Sequence, residues 1–155
     1  MVNEISSLAA QGVSFKVIGN ISRLGSELQE AIRQSEARTA PAPGKEPALT
    51  LIVFMSYSGK WDILQAARKL LASGKNPEQL DYADVDAALV TAGIPDPELV
   101  IRTSGEKRIS NYMLWQTAYS EFVFTDTLWP DFRKEQLLDA IDEYSSRDRR
   151  FGKVK

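Results

Sequence analysis

The feature that most constrains the fold is a continuous apolar run, LTLIVFM, at residues 49–55. Its length and its β-branched residues are typical of a strand buried on both faces, as the strands of parallel sheets are. Further strand-like segments lie at residues 13–18, 99–103 and 122–125, and segments with helical periodicity separate them. Strands that alternate with helices favour right-handed crossovers. We therefore predict an α/β fold with a partial parallel sheet of about four strands and flanking helices.

The intervening segments are predicted to be helical. The helices are expected at residues 1–11, from Ser26 onward, and at residues 61–73, 78–91, 110–119 and 134–146. Ser26 and Gln29 have the spacing of a capping box, which places the start of the second helix at Ser26. In the third helix, the residues predicted to face inward are Trp61, Leu64, Ala67 and Leu71. A chain of 155 residues fits one domain, residues 1–155.

Composition excludes several kinds of chemistry. The net charge of −2 gives no argument for nucleic acid binding. The absence of Cys rules out disulfides, and the absence of His removes the commonest general base and zinc ligand. Any metal must therefore be a hard cation held by oxygen atoms. The longest apolar run is too short to span a bilayer and no signal pattern opens the chain, so a cytoplasmic location is expected.

The segment SGEKRIS at residues 104–110 is the richest candidate for binding chemistry. It follows a predicted strand, and in open parallel sheets ligands bind beyond the carboxyl ends of the strands. It also leads into a predicted helix, whose first N–H groups would favour an anion. The basic and hydroxyl side chains around this loop are Arg102, Lys107, Arg108 and Ser110. The alternative is a helix cap with solvated charges, but Arg102 ends an otherwise apolar strand and needs an anionic partner there.

Other candidates give weaker signals. Glu121 and Asp126 lie at the two ends of a predicted strand, where each could contact a hard cation, although caps and surface charges are the alternative for both. The SGK sequence at residues 58–60 lacks the spaced glycine and the trailing Ser or Thr of a phosphate loop. The aromatic side chains predicted to pack rather than to stack on a ligand are Trp115, Tyr119 and Trp129.

Several motifs, in order along the chain, resemble those of the cis-prenyltransferases, and of bacterial undecaprenyl diphosphate synthases (isoprenyl transferases) in particular. The motifs are VIGN at 17–20, SRL at 22–24, YSGKWDI at 57–63, IRTSGEKRISN at 101–111, LWQ at 114–116, AYSE at 118–121, FTD at 124–126, LWPDF at 128–132 and RRFG at 149–152. Together they cover nearly the whole chain. The family's reaction condenses isopentenyl diphosphate with an allylic prenyl diphosphate in the synthesis of polyprenyl carrier lipids for the cell wall.

The resemblance also implies roles for individual residues. Arg102, Arg108 and Ser110 match the groups that grip the diphosphate of isopentenyl diphosphate. Glu106 matches the acid that orients this loop, and Glu121 matches a carboxylate associated with magnesium. The residues similar to those that shape the site and the nearby subunit contact are Trp129 and Asp131, and the tail from Arg149 resembles one that reaches a partner's active site in family dimers. Lys107 stands where some members have His.

One family segment has no counterpart. Family enzymes open with a strand ending in Asp-Gly-Asn-Gly-Arg-Trp, whose Asp binds magnesium and assists departure of the allylic diphosphate. Nothing in this sequence matches it, and Gly19-Asn20 stands in a different context. We therefore expect the C-terminal portion of the family fold, with the acceptor site kept, no catalytic residue assigned, magnesium weakly bound or absent, and no activity alone.

Three hypotheses of function follow. The first is a truncated prenyltransferase that works as a homodimer, makes peripheral membrane contact through its lipid product and does not bind nucleic acid. The second is a non-catalytic accessory subunit of a heteromeric cis-prenyltransferase. The third is a diphosphate-binding module without prenyl chemistry. The first is favoured because the residues matched to the acceptor site are all present.

Overall fold

The computed structural model describes residues 2–149, with side chains from residue 4 onward. It divides into two compact units, one up to Ala92 and one from Gly93 onward. Each unit contains a pair of parallel strands with neighbouring helices, so the predicted α/β class with parallel strands is confirmed. The single domain across residues 1–155 stays a prediction. No helix within residues 2–149 combines the length and the apolar character that a bilayer span requires.

The first unit contains two strands and four α-helices. The elements are α1 (Val2–Ala10), β1 (Val13–Ile18), α2 (Ser26–Thr39), β2 (Leu49–Phe54), α3 (Gly59–Ala72) and α4 (Tyr82–Ala88), with short 3-10 turns at Ile21–Arg23 and Pro77–Gln79. The strands run parallel, with Val13 opposite Leu49 and Ile18 opposite Phe54. Ile5 of α1 and Ile32 of α2 are buried, and both helices contact β1.

Side chains of α2 also accept hydrogen bonds from N–H groups of β1. The Oγ1 atom of Thr39 accepts a hydrogen bond from the N–H of Phe15 at 3.0 Å, and Oε1 of Glu36 accepts one from the N–H of Val17 at 2.8 Å. An N–H group buried without a partner costs about 1–3 kcal/mol. The two side chains therefore satisfy the N–H groups of Phe15 and Val17.

The predicted capping box at Ser26 is wrong. Ser26 is the first helical residue, and Gly25, in extended conformation, is the N-cap. Gln29 does not return to the cap, because its Nε2 atom donates to the carbonyl of Leu24 at 2.7 Å. A capping box does form where the sequence analysis did not place one: the side chain of Asp81 accepts from the N–H of Asp84, and the side chain of Asp84 accepts from the N–H of Asp81.

Strand β2 has the predicted position but not the predicted burial. Leu49, Leu51 and Val53 share one face and keep 59%, 39% and 38% of their surface exposed. The strand pairs with β1 alone among the described residues. A strand is buried on both faces only when other elements cover both, which its own sequence cannot provide. The prediction of a doubly buried strand is therefore wrong for this chain.

The inward face of α3 also differs from the prediction. Leu64 and Leu71 are exposed, whereas Asp62 and Ala66 are almost fully buried. Asp62 and Ala66 are four residues apart and so lie on one side of the helix. The apolar side chains predicted to face the core therefore lie on a largely exposed side of α3.

The exposure of β2 gives a stability test. We expect Leu49→Ala to lower the free energy of unfolding by less than about 1 kcal/mol, because its side chain is already in water. The matched change Ile32→Ala removes a side chain that is 4% exposed, and such changes cost about 2–5 kcal/mol. Urea denaturation monitored by circular dichroism measures both. Equal losses would show that β2 is covered in solution.

The second unit contains the other two strands and the last helix. Its elements are β3 (Leu99–Arg102), β4 (Glu121–Phe124), a 3-10 turn at Trp129–Asp131 and α5 (Lys134–Ser145). The strands run parallel, with Leu99 opposite Glu121 and Arg102 opposite Phe124. The four strands within residues 2–149 thus form two hydrogen-bonded pairs.

The helix predicted at residues 110–119 is absent, and the segment consists of turns. Ser110, Asn111 and Met113 have positive φ angles of 46°, 61° and 46°. A left-handed residue costs roughly 1–2 kcal/mol and cannot continue a right-handed helix. One helix-like bond remains, from the N–H of Thr117 to the carbonyl of Met113 at 3.0 Å.

Candidate functional site

The loops that follow β3 and β4 are joined through their backbones. The N–H groups of Ser104 and Gly105 donate to the carbonyls of Thr127 and Thr125, both at 2.9 Å. Gly105 has a φ of +68°, and a Cβ atom there would lie 3.0 Å from Oδ1 of Asp126. The positive φ favours glycine here, and a Cβ atom would force the Asp126 side chain to shift.

The N–H groups predicted to favour an anion differ from those that the structure provides. The N–H groups of Ser104 and Gly105 are already used within the loop. No helix begins at Ser110, so no helical N-terminus points at a ligand. The predicted helix N-terminus is therefore wrong, and the groups that could hold an anion include the side chains around the loop.

Those side chains do converge. The Nη1 atom of Arg102 donates to Oγ of Ser110 at 3.1 Å and also to the carbonyl of Arg108. The guanidinium of Arg108 forms an ion pair with Glu106. The structure thus brings together the four residues matched to the acceptor site: Arg102, Glu106, Arg108 and Ser110.

The electrostatics of this cluster favour an incoming anion. The side chains of Arg108 and Glu106 are 62% and 41% exposed, and exposed ion pairs contribute only about 0–1 kcal/mol. A charge-assisted bond to a diphosphate contributes about 1.5–3 kcal/mol. An anion with several charges can therefore displace Glu106 from Arg108. Lys107 is exposed on the same loop and adds positive charge.

A cavity of about 260 Å³ adjoins the cluster. Arg102, Arg108 and Ser110 line it, and its apolar lining includes Val100, Ile109, Tyr112 and Phe122. Partial burial raises the pKa of the Tyr112 phenol above its ordinary value, so this side chain is neutral at physiological pH. The sequence analysis did not single out Tyr112 or Phe122. Val100 and Arg102 are two residues apart in β3 and therefore lie on the same face of the strand. This spacing is the sequence signal that an apolar and a basic side chain lie side by side.

Glu121 and Arg102 lie at opposite ends of the β3–β4 strand pair. It begins β4, whereas Phe124, opposite Arg102, ends it. Three residue steps along a strand span about 10 Å. Oε2 of Glu121 instead accepts a bond from Nη1 of Arg147 at 2.7 Å, and Nη2 of Arg147 donates to the carbonyl of Phe122 at 2.8 Å.

The residues around Glu121 do not fit a magnesium ion. The hydrogen bonds to Glu121 and, after it, to Glu143 raise the pKa of Arg147, which stays charged beside the carboxylate. Within residues 2–149, no three acidic side chains lie close enough together to hold a metal. Asp126 lies at the loop end of β4, beside Gly105. The two acids that the sequence offered for a cation are thus separated along β4.

Asp62 is a residue that the sequence analysis passed over. It is 1% exposed. Its Oδ1 atom accepts from the N–H of Val90 and from Nε2 of Gln65, both at 2.9 Å, and its Oδ2 atom accepts from the hydroxyl of Tyr57 at 3.1 Å. Asp62 therefore fixes the start of α3 to the segment after α4.

The other sequence candidates have simpler roles. Ser58 caps α3 by accepting from the N–H of Trp61 at 3.3 Å, so the SGK segment begins a helix. Trp129 is exposed and stacks on Phe132 with ring centroids 6.2 Å apart. In the tail, Nη1 of Arg149 donates to Glu98 and to the hydroxyl of Tyr144. The remainder of the RRFG motif, residues 150–152, lies outside the described residues.

Comparison with known proteins identifies the family. Residues 1–152 match the profile of the prenyltransferase family described as "Putative undecaprenyl diphosphate synthase". The chain is 46% identical over 158 residues to an isoprenyl transferase of Porphyromonas gingivalis, with 99% of this chain aligned. It is 44% identical over 154 residues to the ditrans,polycis-undecaprenyl-diphosphate synthase ((2E,6E)-farnesyl-diphosphate specific) of Salmonella paratyphi A, with 97% aligned. The chain therefore belongs to the cis-prenyltransferase family.

Solved structures agree with this assignment. Lavandulyl diphosphate synthase from Lavandula x intermedia, in complex with dimethylallyl diphosphate, matches 98% of this chain with a TM-score of 0.90 and 36% identity. A "probable undecaprenyl diphosphate synthase" from Campylobacter jejuni matches 98% with a TM-score of 0.85 and 28% identity. The chain spans 61% and 60% of the two curated relatives and 66% and 69% of these two structures.

Proposed function

We propose that this chain carries the acceptor half of a cis-prenyltransferase site and binds isopentenyl diphosphate through Arg102, Arg108 and Ser110. The observation that carries the proposal is the convergence of these side chains on one cavity. Family membership supports the choice of ligand, since relatives carry the names of prenyl diphosphate synthases. The related lavandulyl diphosphate synthase was crystallised with dimethylallyl diphosphate, which is a five-carbon diphosphate ester.

The proposed reaction joins two diphosphate esters. The bond between the allylic carbon and its diphosphate breaks, the terminal alkene carbon of isopentenyl diphosphate bonds to that allylic carbon, and a proton is then lost. The product is a longer prenyl diphosphate and inorganic diphosphate. In this scheme Arg102 and Arg108 hold the acceptor diphosphate in place, and such positioning supplies much of the rate.

We propose that the chain alone does not catalyse this reaction at a useful rate. Magnesium would neutralise charge on the departing diphosphate, but Glu121 is paired with Arg147. A protein that supplies a single carboxylate holds magnesium weakly, because the ion keeps its waters. We therefore assign no catalytic residue within the chain.

An accessory subunit is the second candidate, and the exposed apolar surfaces favour it. The face of β2 formed by Leu49, Leu51 and Val53 is exposed, as is Trp129. Apolar surface of this kind usually marks an interface. As a prenyltransferase, the protein would make peripheral membrane contact through its polyprenyl product.

Titration with isopentenyl diphosphate tests the proposed acceptor site. We expect Arg102→Ala and Arg108→Ala each to weaken binding about tenfold or more, because one charge-assisted contact is worth at least about 1.4 kcal/mol. Isothermal titration calorimetry measures the affinities. Arg33→Ala, which removes an exposed arginine paired with Glu30 on α2, is the matched control and should bind like wild type. Equal affinity in all four proteins would remove the site from consideration.

We also expect the chain to self-associate through the surface around Trp129. Trp129 is exposed and stacks on Phe132, which is half-buried, and we expect the chain to dimerise at tens of micromolar concentration. Sedimentation velocity should show that Trp129→Ala shifts the population toward monomer. A wild-type chain that is folded and strictly monomeric at these concentrations would contradict the proposal.

A further inference from the structure

The guanidinium of Arg147 lies where three oxygen acceptors converge. Its Nη1 atom donates to Oε2 of Glu121 at 2.7 Å, and its Nη2 atom donates to the carbonyl of Phe122 at 2.8 Å and to Oε1 of Glu143. Glu121 and Phe122 begin β4, whereas Glu143 lies in the last turn of α5. One side chain therefore joins the start of a strand to the end of a helix.

These acceptors are of the kind that a hard divalent cation takes as ligands. Magnesium and calcium are bound in proteins by carboxylate and backbone carbonyl oxygens, and water fills the remaining positions. The guanidinium of Arg147 carries a positive charge and presents several N–H donors in a planar fork, which lets it bond separate oxygen atoms at once. It therefore supplies the charge and the contacts that a cation would otherwise supply between the two carboxylates.

The cluster is buried enough for these charges to matter. The side chains of Arg147 and Glu121 are 30% and 28% exposed, and that of Glu143 is 52% exposed. Two carboxylates that face one point repel each other unless a positive charge lies between them, and partial burial strengthens the repulsion. Removing the guanidinium therefore leaves a gap that attracts a cation. A cavity of about 290 Å³ adjoins Glu143, which leaves room for the water ligands that magnesium keeps.

We infer that Arg147 takes the place of a divalent cation at this point of the fold, so that the contact between β4 and α5 needs no metal. Replacing Arg147 by a small neutral residue opens a cation site formed by Glu121, Glu143 and the carbonyl of Phe122. Glu121 is thereby an anchor for α5, in place of the metal role that the family resemblance implies. The inference does not rest on the proposed acceptor site, because Glu121 and Arg102 lie at opposite ends of the strand pair.

Binding of Mn²⁺ to the full chain tests the inference, because Mn²⁺ takes the same oxygen ligands as magnesium and its free form is measured by electron paramagnetic resonance. We expect Arg147→Ala to bind Mn²⁺ at least about tenfold more tightly than wild type, and Mg²⁺ to displace it. Combining Arg147→Ala with Glu121→Gln should abolish the added binding. Arg149→Ala is the matched control and should bind like wild type. It removes an arginine from the same segment after α5, but one that bonds Glu98, which is 73% exposed, and the hydroxyl of Tyr144.

Thermal unfolding gives a second readout. Arg147→Ala should lower Tm by about 3–6 °C, since it breaks a half-buried ion pair. Mg²⁺ at about 10 mM should restore at least half of that loss, whereas NaCl of equal ionic strength should restore none of it. Wild type and Arg149→Ala should change by less than about 1 °C with the same Mg²⁺.

Arg147→Gln carries the same test if Arg147→Ala fails to fold, because it keeps a longer side chain while removing the charge. The inference is overturned if Mn²⁺ binding and the Tm response to Mg²⁺ are the same in Arg147→Ala, Arg147→Gln and Arg149→Ala. It is also overturned if neither variant of Arg147 folds with Mg²⁺ present, since a cation then does not replace the guanidinium. Isopentenyl diphosphate affinity, measured on the same samples, reports separately on the proposed function.

Discussion

Incorporation of labelled isopentenyl diphosphate into polyprenyl products is expected to be at least about a thousandfold slower for this chain alone than for the same chain joined to a family-type N-terminal segment. The segment would supply the Asp-Gly-Asn-Gly-Arg-Trp loop, for which the chain has no counterpart. Losing either the positioning of the allylic diphosphate or the stabilisation of its charge typically costs several kcal/mol. The assay uses farnesyl diphosphate, magnesium and labelled isopentenyl diphosphate.

Matched controls make this comparison specific. Replacing the Asp of the joined segment by Ala should return turnover to the level of the chain alone. The affinity for isopentenyl diphosphate should be similar with and without the segment, because the proposed acceptor residues all lie in β3 and the loop after it. Comparable turnover by the chain alone would contradict the proposal that the chain is inactive without this segment. Asp126, at the loop end of β4, would then be the acid to replace next.

Asp62→Ala is expected to lower the free energy of unfolding by about 3 kcal/mol or more. The change leaves the N–H of Val90, the amide of Gln65 and the hydroxyl of Tyr57 without their shared acceptor. Buried polar networks are costly when one member is removed, because the others cannot reach water. Urea denaturation followed by circular dichroism measures the effect.

Two further variants separate this network from a general effect of charge. Asp62→Asn keeps one acceptor oxygen and should cost less than Asp62→Ala. Asp139→Ala, at an exposed position of α5, should change stability by no more than about 0.5 kcal/mol. A loss for Asp62→Ala as small as that for Asp139→Ala would mean that the network contributes little in solution.

The positions of the strands could be predicted because apolar runs identify them directly. Val13–Ile18 was predicted with the bounds that the structure has, and β2 differs by one residue from the predicted run. The burial of β2 could not be predicted, since it depends on which elements cover the strand. The helix expected at residues 110–119 failed because the segment takes left-handed conformations at Ser110, Asn111 and Met113.

The candidate site was predictable in its residues but not in its contacts. The motif from Ile101 to Asn111 indicated Arg102, Arg108 and Ser110, which the structure brings together. The pairing of Glu121 with Arg147 joins residues 26 positions apart and has no local signal. The same holds for the backbone bonds from Ser104 and Gly105 to the loop after β4, which use the N–H groups expected to bind an anion.

A crystal structure of the chain with isopentenyl diphosphate would show whether Arg102, Arg108 and Ser110 hold the diphosphate, as we propose. We expect diphosphate density within hydrogen-bonding distance of both guanidinium groups and of the Ser110 hydroxyl, with Glu106 displaced from Arg108. Density at another loop, or a fully occupied ligand that leaves the Arg108–Glu106 pair intact and untouched, would contradict it.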